Sequence, residues 1–113
     1  MTSMLEANDW NGLSLLLKPV FEQWHVSRAL VFGSWARGEA TRHSDVDLLL
    51  VQETDKSWFD RYDGILRQIS ALIRSRDVDL LIYTPQKIKR CADQPFLASA
   101  LREGKVIYES GKE

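Results

Sequence analysis

Asp45 and Asp47 flank Val46 at the head of an apolar run, and Gly33-Ser34 lies upstream with ten residues between Ser34 and Asp45. On a strand, residues two apart leave the same face with Cα atoms roughly 6.5 Å apart, so their carboxylates can converge. At about 4.5 Å and an effective dielectric of about 20, such a pair repels by roughly 3 to 4 kcal/mol, a large share of a small domain's stability. A cation offsets that repulsion. Hard carboxylate oxygens with open positions suit magnesium, which keeps waters and takes up substrate phosphates. Gly33-Ser34 closes a first apolar strand. Free backbone N–H groups there, with no side chain on the glycine, admit a phosphate closely, and the serine hydroxyl adds a donor. Asp79 stands between Val78 and Leu80, in a segment where a lone charge is costly, and is the natural third carboxylate. Taken singly, each piece has an ordinary reading: a turn, a solvated strand start, an acid at an exposed sheet edge.

The elements that must position these residues follow from periodicity. Leu13, Leu16, Leu17, Val20, Phe21 and Trp24 mark one face of a helix over about 11–24. Pro19 inside it predicts a kink or a second short helix from near Lys18. Val26 to Phe32 reads as a strand broken by Gly33, with a short helix through Ala36-Arg37 beyond it. Asp45 to Gln52 reads as a central strand, apolar on both faces from Leu48 onward. Ser57 is a candidate N-cap for a helix carrying Trp58, Tyr62, Ile65, Leu66, Ile69, Leu72 and Ile73, closed by the basic Arg74-Ser-Arg76 end. Val78 to Tyr83 is a third strand, followed by a lysine-rich helical turn over about 86–91. A last helix spans Pro95 to Glu103, with Gly104 at its end, before a strand from Lys105 to Tyr108. Strands interleaved with helices, without repeat or linker, predict one α/β (α+β) domain over residues 1–113.

Composition bounds the function. The 113 residues are 44% apolar and 27% charged with net charge -1. That is the profile of a folded domain, with no broad cationic surface for direct nucleic-acid or anionic-membrane binding. No apolar run is long enough for a bilayer, and the N-terminus has no basic-then-apolar leader, which gives a cytoplasmic expectation. Cys91 is the single cysteine, so neither an internal disulfide nor zinc-ligand spacing is available, and it reads as packing filler.

The stretch Val31-Phe32-Gly33-Ser34-Trp35-Ala36-Arg37-Gly38, followed by Ser44-Asp45-Val46-Asp47-Leu48-Leu49, resembles the signature of the polymerase-β-like nucleotidyltransferases. Val78-Asp79-Leu80 and the closing 102–108 segment extend the likeness, over nearly the whole chain, to the small stand-alone members that serve as antitoxins beside a HEPN-domain toxin. The resemblance implies a mixed β-sheet flanked by helices. Gly33 and Ser34 would hold the nucleoside triphosphate, and Asp45, Asp47 and Asp79 would form the catalytic set that ligates magnesium, as two ions. Asp79 would also help activate the attacking hydroxyl. It further implies transfer of AMP from ATP to a tyrosine of the partner toxin. Two alternatives stay open: an antitoxin that neutralises its toxin by binding alone, and a transferase acting on a small molecule or nucleic acid with a separate substrate-binding subunit.

Residues beside the motif have two readings each. Arg37 is a candidate phosphate contact or an ion-pair partner of Glu39. Arg42 and His43 lie in the polar loop before the acids, as possible triphosphate or partner contacts or as solvated loop. Trp35, Trp58 and Phe59 offer stacking faces or core packing. Lys87, Lys89 and Arg90 form a small basic cluster or a solvated helix face.

Overall fold

The computed structural model describes residues 10–39, 44–53, 58–74 and 76–110. Helix α1 (Trp10–Gln23) leads into β1 (Arg28–Phe32) and β2 (Val46–Val51). Helix α2 (Trp58–Leu72) precedes β3 (Val78–Tyr83), and α3 (Pro85–Cys91), α4 (Pro95–Glu103) and β4 (Lys105–Glu109) complete the chain order. The four strands form one mixed sheet in the order β3-β2-β1-β4. β1 is antiparallel to both β2 and β4, whereas β2 and β3 run parallel through the α2 crossover.

The two faces of the sheet carry separate apolar clusters. α1 and α2 bring Leu13, Leu17, Phe21, Ile65 and Ile69 onto Val31, Leu48, Leu50 and Leu80. On the other face, α4 brings Leu97 and Ala100 onto Leu30 and Leu49, with Ile88 and Cys91 of α3 packed alongside. Leu48, Leu49 and Leu50 are all buried. A central strand covered on both sides was the expectation from its unbroken apolar run.

Pro19 lies inside one continuous α1, and no second helix starts near Lys18. The ring deprives the Leu15 carbonyl of its usual donor, but Leu15 and Pro19 are both exposed, so water can take that place. Leu13, Leu17, Val20 and Phe21 meanwhile hold the opposite stripe in the core. The short helix expected through Ala36-Arg37 is instead a run of turns over 33–38. In it the Gly33 carbonyl accepts from both Ala36 and Arg37 N–H. The basic end foreseen for the second helix lies past its last turn: Arg74 Nε still donates to the Ala71 carbonyl at 3.3 Å, while Arg76 goes elsewhere. Ser57 lies outside the described residues.

α3 and α4 start as their prolines dictate. Thr84 caps α3 by accepting from Lys87 N–H at 3.1 Å, with Pro85 in the first turn. Gly104 ends α4 with φ -64, so space is what requires glycine there. A Cβ would meet the Ala100 carbonyl at 2.6 Å and the Val31 carbonyl at 3.2 Å.

Candidate active site

The acids gather at one end of the sheet, beside the turn that follows β1. Parallel register sets Asp47 of β2 directly beside Asp79 of β3, and antiparallel register sets Phe32 of β1 on the other side of Asp47. Gly33 follows Phe32 with φ +67, a conformation open to glycine at little cost. A Cβ on it would lie 2.5 Å from Asp47 Oδ2. The missing side chain is therefore the space the Asp47 carboxylate occupies.

Burial, the hydrogen bond that a protonated Asp47 carboxyl donates to the Asp79 carboxylate, and the charges of Asp79 and then Asp45 push Asp47 up to about 6 from an ordinary 3.8. Of its two acidic neighbours, Asp79 acts on Asp47 more strongly than Asp45 does. The reason is register. β2 begins at Val46, whose N–H donates to the Asp77 carbonyl at 2.9 Å, so Asp45 stands just outside the ladder with its side chain exposed. It acts on Asp47 through its charge.

Among the described residues no three His, Cys, Asp or Glu side chains are already gathered around one cation position. The donor chemistry nevertheless fits a hard divalent ion. Two carboxylates are pressed together and a third lies within electrostatic reach, an arrangement that a cation relieves. Asp47 and Asp79 would be its first ligands, and Asp45 would join them by a side-chain movement at the exposed strand entry.

Ser34, half-buried, follows Gly33. Among the described residues the turn's own backbone bonds begin at Ala36 N–H, which leaves the Ser34 and Trp35 N–H groups outside that bonding. A positive-φ glycine followed by such donors forms a concavity suited to an anion. Arg37 pairs with Glu39 Oε1 at 2.9 Å, both side chains exposed, so the ion-pair reading of this residue describes the observed geometry. Trp35 is buried and packs in the core, as the packing reading has it. Arg42, His43 and the side chains of Trp58 and Phe59 lie outside the described residues. Lys87, Lys89 and Arg90 are exposed on α3, with the Lys87 ammonium 5.6 Å from the Tyr83 ring centroid.

Two neighbours escape a sequence reading. Trp10 Nε1 donates to the Trp35 carbonyl at 2.7 Å, tying the start of α1 to the turn. Arg76 Nη1 donates to the Ser44 carbonyl at 3.1 Å, and its guanidinium lies 4.9 Å from the Trp35 ring centroid. The sequence signal for Arg76 was an arginine just ahead of the third acid, masked by its equally good reading as a helix-end cation.

Carboxylates on adjacent parallel strands face a glycine turn at the end of a third strand and together form the candidate site. Residues 13–108 match the nucleotidyltransferase domain family. The chain belongs to that family and is a nucleotidyltransferase. It is 26% identical over 85 residues, 74% of its own length and 79% of the relative's, to the "putative protein adenylyltransferase" of Methanocaldococcus jannaschii. Its fold is shared by a chain of a toxin-antitoxin crystallised with AMP-PNP, with a TM-score of 0.64, 17% identity, and 87% and 74% of the two chains covered. A chain from the complex of tri-AMPylated Shewanella oneidensis HEPN toxin with MNT antitoxin aligns with a TM-score of 0.61, 14% identity, and 89% and 73% covered. A mixed sheet flanked by helices is the fold the sequence implied, with four helices among the described residues where the sequence reading had five. No helix among the described residues is long and apolar enough to cross a membrane.

Proposed function

We propose that this chain transfers AMP from ATP to a tyrosine hydroxyl of a HEPN-domain toxin and thereby acts as its antitoxin. The observation that carries the proposal is the Asp47–Asp79 pair set against the side-chain-free face of Gly33. The relatives named for protein adenylylation and for a tri-AMPylated toxin support the acceptor class.

The triphosphate would rest against Gly33, where the hydroxyl and N–H of Ser34 donate to its oxygens; Arg37 can join by exchanging Glu39 for phosphate, since an exposed ion pair is worth little. Asp45, Asp47 and Asp79 would hold magnesium, as two ions, which when bound supplies charge stabilisation of the attacking and leaving oxygens. The chain's own task is alignment. It holds the α-phosphorus in line between the acceptor oxygen and the bridging oxygen to the β-phosphate. A bond from the tyrosine oxygen to the α-phosphorus forms, the bond to the β-phosphate breaks, and pyrophosphate leaves. The tyrosine proton passes to the Asp79 carboxylate, which is exposed and can reach an incoming hydroxyl.

The test incubates the purified chain with magnesium, ATP and the product of the adjacent gene, and reads intact mass. Wild-type protein should add whole AMP units to the partner, and Asp45→Ala should slow the addition by about 100-fold or more. Wild-type rates in that variant would sink the catalytic assignment. A stable complex without added mass would instead support neutralisation by binding.

A further inference from the structure

We infer that Arg76 is a positioning residue that holds the phosphate turn and the acid-bearing strand in one relative geometry. It lies in the connection between α2 and β3, and its contacts include one with each half of the site. Its Nη1 donates to the carbonyl of Ser44, the residue before Asp45. Its guanidinium also covers the ring of Trp35, two residues beyond Gly33.

The Trp35 end is anchored independently. The side chain is buried among the α1, α2 and sheet residues, and the main-chain carbonyl accepts from Trp10. A cation over that ring is therefore fixed against a rigid surface. The Ser44 end is not needed to pair the strands, because the Asp77 carbonyl already accepts from Val46 N–H. What the guanidinium adds is a link between the turn and the peptide that aims Asp45. Arginine suits the task because its planar fork can stack and donate at once, whereas the single nitrogen of lysine reaches one partner at a time.

The consequence is thermodynamic coupling. ATP alone meets only the turn, but ATP with magnesium must meet the turn and the acids together, so magnesium tightens ATP binding to the extent that the two halves are already aligned. The inference rests on the ATP-and-magnesium role proposed above, and calorimetry can separate the two. Titrate ATP into the full chain with and without magnesium, for wild type, Arg76→Ala, Arg76→Lys and the control Arg74→Ala.

Magnesium should tighten ATP binding to wild type and to Arg74→Ala by about tenfold or more. In Arg76→Ala that enhancement should fall towards unity while the metal-free affinity stays near wild type, a pattern that general loosening of the fold would not produce. Arg76→Lys should keep the fold and recover only part of the enhancement; should the alanine variant fail to fold, the lysine variant decides. A full wild-type enhancement in Arg76→Ala, or in Arg76→Lys if that variant has to decide, overturns the inference alone. Absence of any enhancement in wild type overturns the ATP-and-magnesium role itself, and this inference with it.

Discussion

Asp47 concentrates the electrostatic cost of the site. Its folded-state pKa near 6 exceeds the ordinary 3.8, first through burial and then through Asp79 and Asp45. Between those two values the folded chain binds more protons than the unfolded one, so stability falls as pH rises through that window. This contribution is fully present below about 4 and gone above about 6 to 7. Metal-free wild type should therefore lose melting temperature between pH 5 and pH 7 relative to Asp47→Asn, whose amide does not titrate. Magnesium should raise the melting temperature at pH 7.5 and much less at pH 5, where a proton competes for the same oxygens. Parallel curves for wild type and Asp47→Asn would refute the shift. The sequence made Asp45, Asp47 and Asp79 legible as one acidic set. It did not reveal which two press together, because that depends on a parallel register between strands separated by a helix.

At the scale of elements, the β1 exit and the start of β2 are built for one another. Gly33 and Gly38 both have positive φ, yet a Cβ at Gly33 would collide with Asp47 whereas one at Gly38 meets nothing within 4 Å. Both alanine variants incur the left-handed backbone cost, about 1 kcal/mol each. Gly33→Ala must in addition displace the carboxylate. Urea unfolding should show the larger loss for Gly33→Ala, and nucleotide transfer should collapse in that variant while Gly38→Ala keeps most of it. Equal activity in the two would remove Asp47 from the reaction. Most elements were readable because their apolar periodicity survives folding: β3 and α4 run over the expected residues, and β2 is central as its apolar run required. The turn over 33–38 was not, since Trp35-Ala36-Arg37 carries helix-compatible residues. The backbone there instead follows the two positive-φ glycines that bracket it.

At the scale of the whole molecule, the placement of the site argues for a large acceptor. The acids lie at one end of the sheet with Asp45 and Asp79 exposed, and only Asp47 is partly withdrawn. An open row of this kind leaves the orientation of an acceptor hydroxyl to contacts made elsewhere on the acceptor, and binding energy from those remote contacts is spent on alignment at the reacting atoms. Fragmenting the acceptor should therefore lower the turnover rate as well as the affinity. With the toxin proposed above as acceptor, a ten-residue peptide around the tyrosine it would have modified and free tyrosine compared at equal concentration, AMP transfer to the peptide should be slower by on the order of 100-fold, and transfer to free tyrosine slower still. Mass spectrometry of the three reactions reads this directly. Comparable rates on all three would mean that the open end of the sheet orients a small acceptor unaided, which is the behaviour of a small-molecule nucleotidyltransferase rather than of a protein-modifying antitoxin.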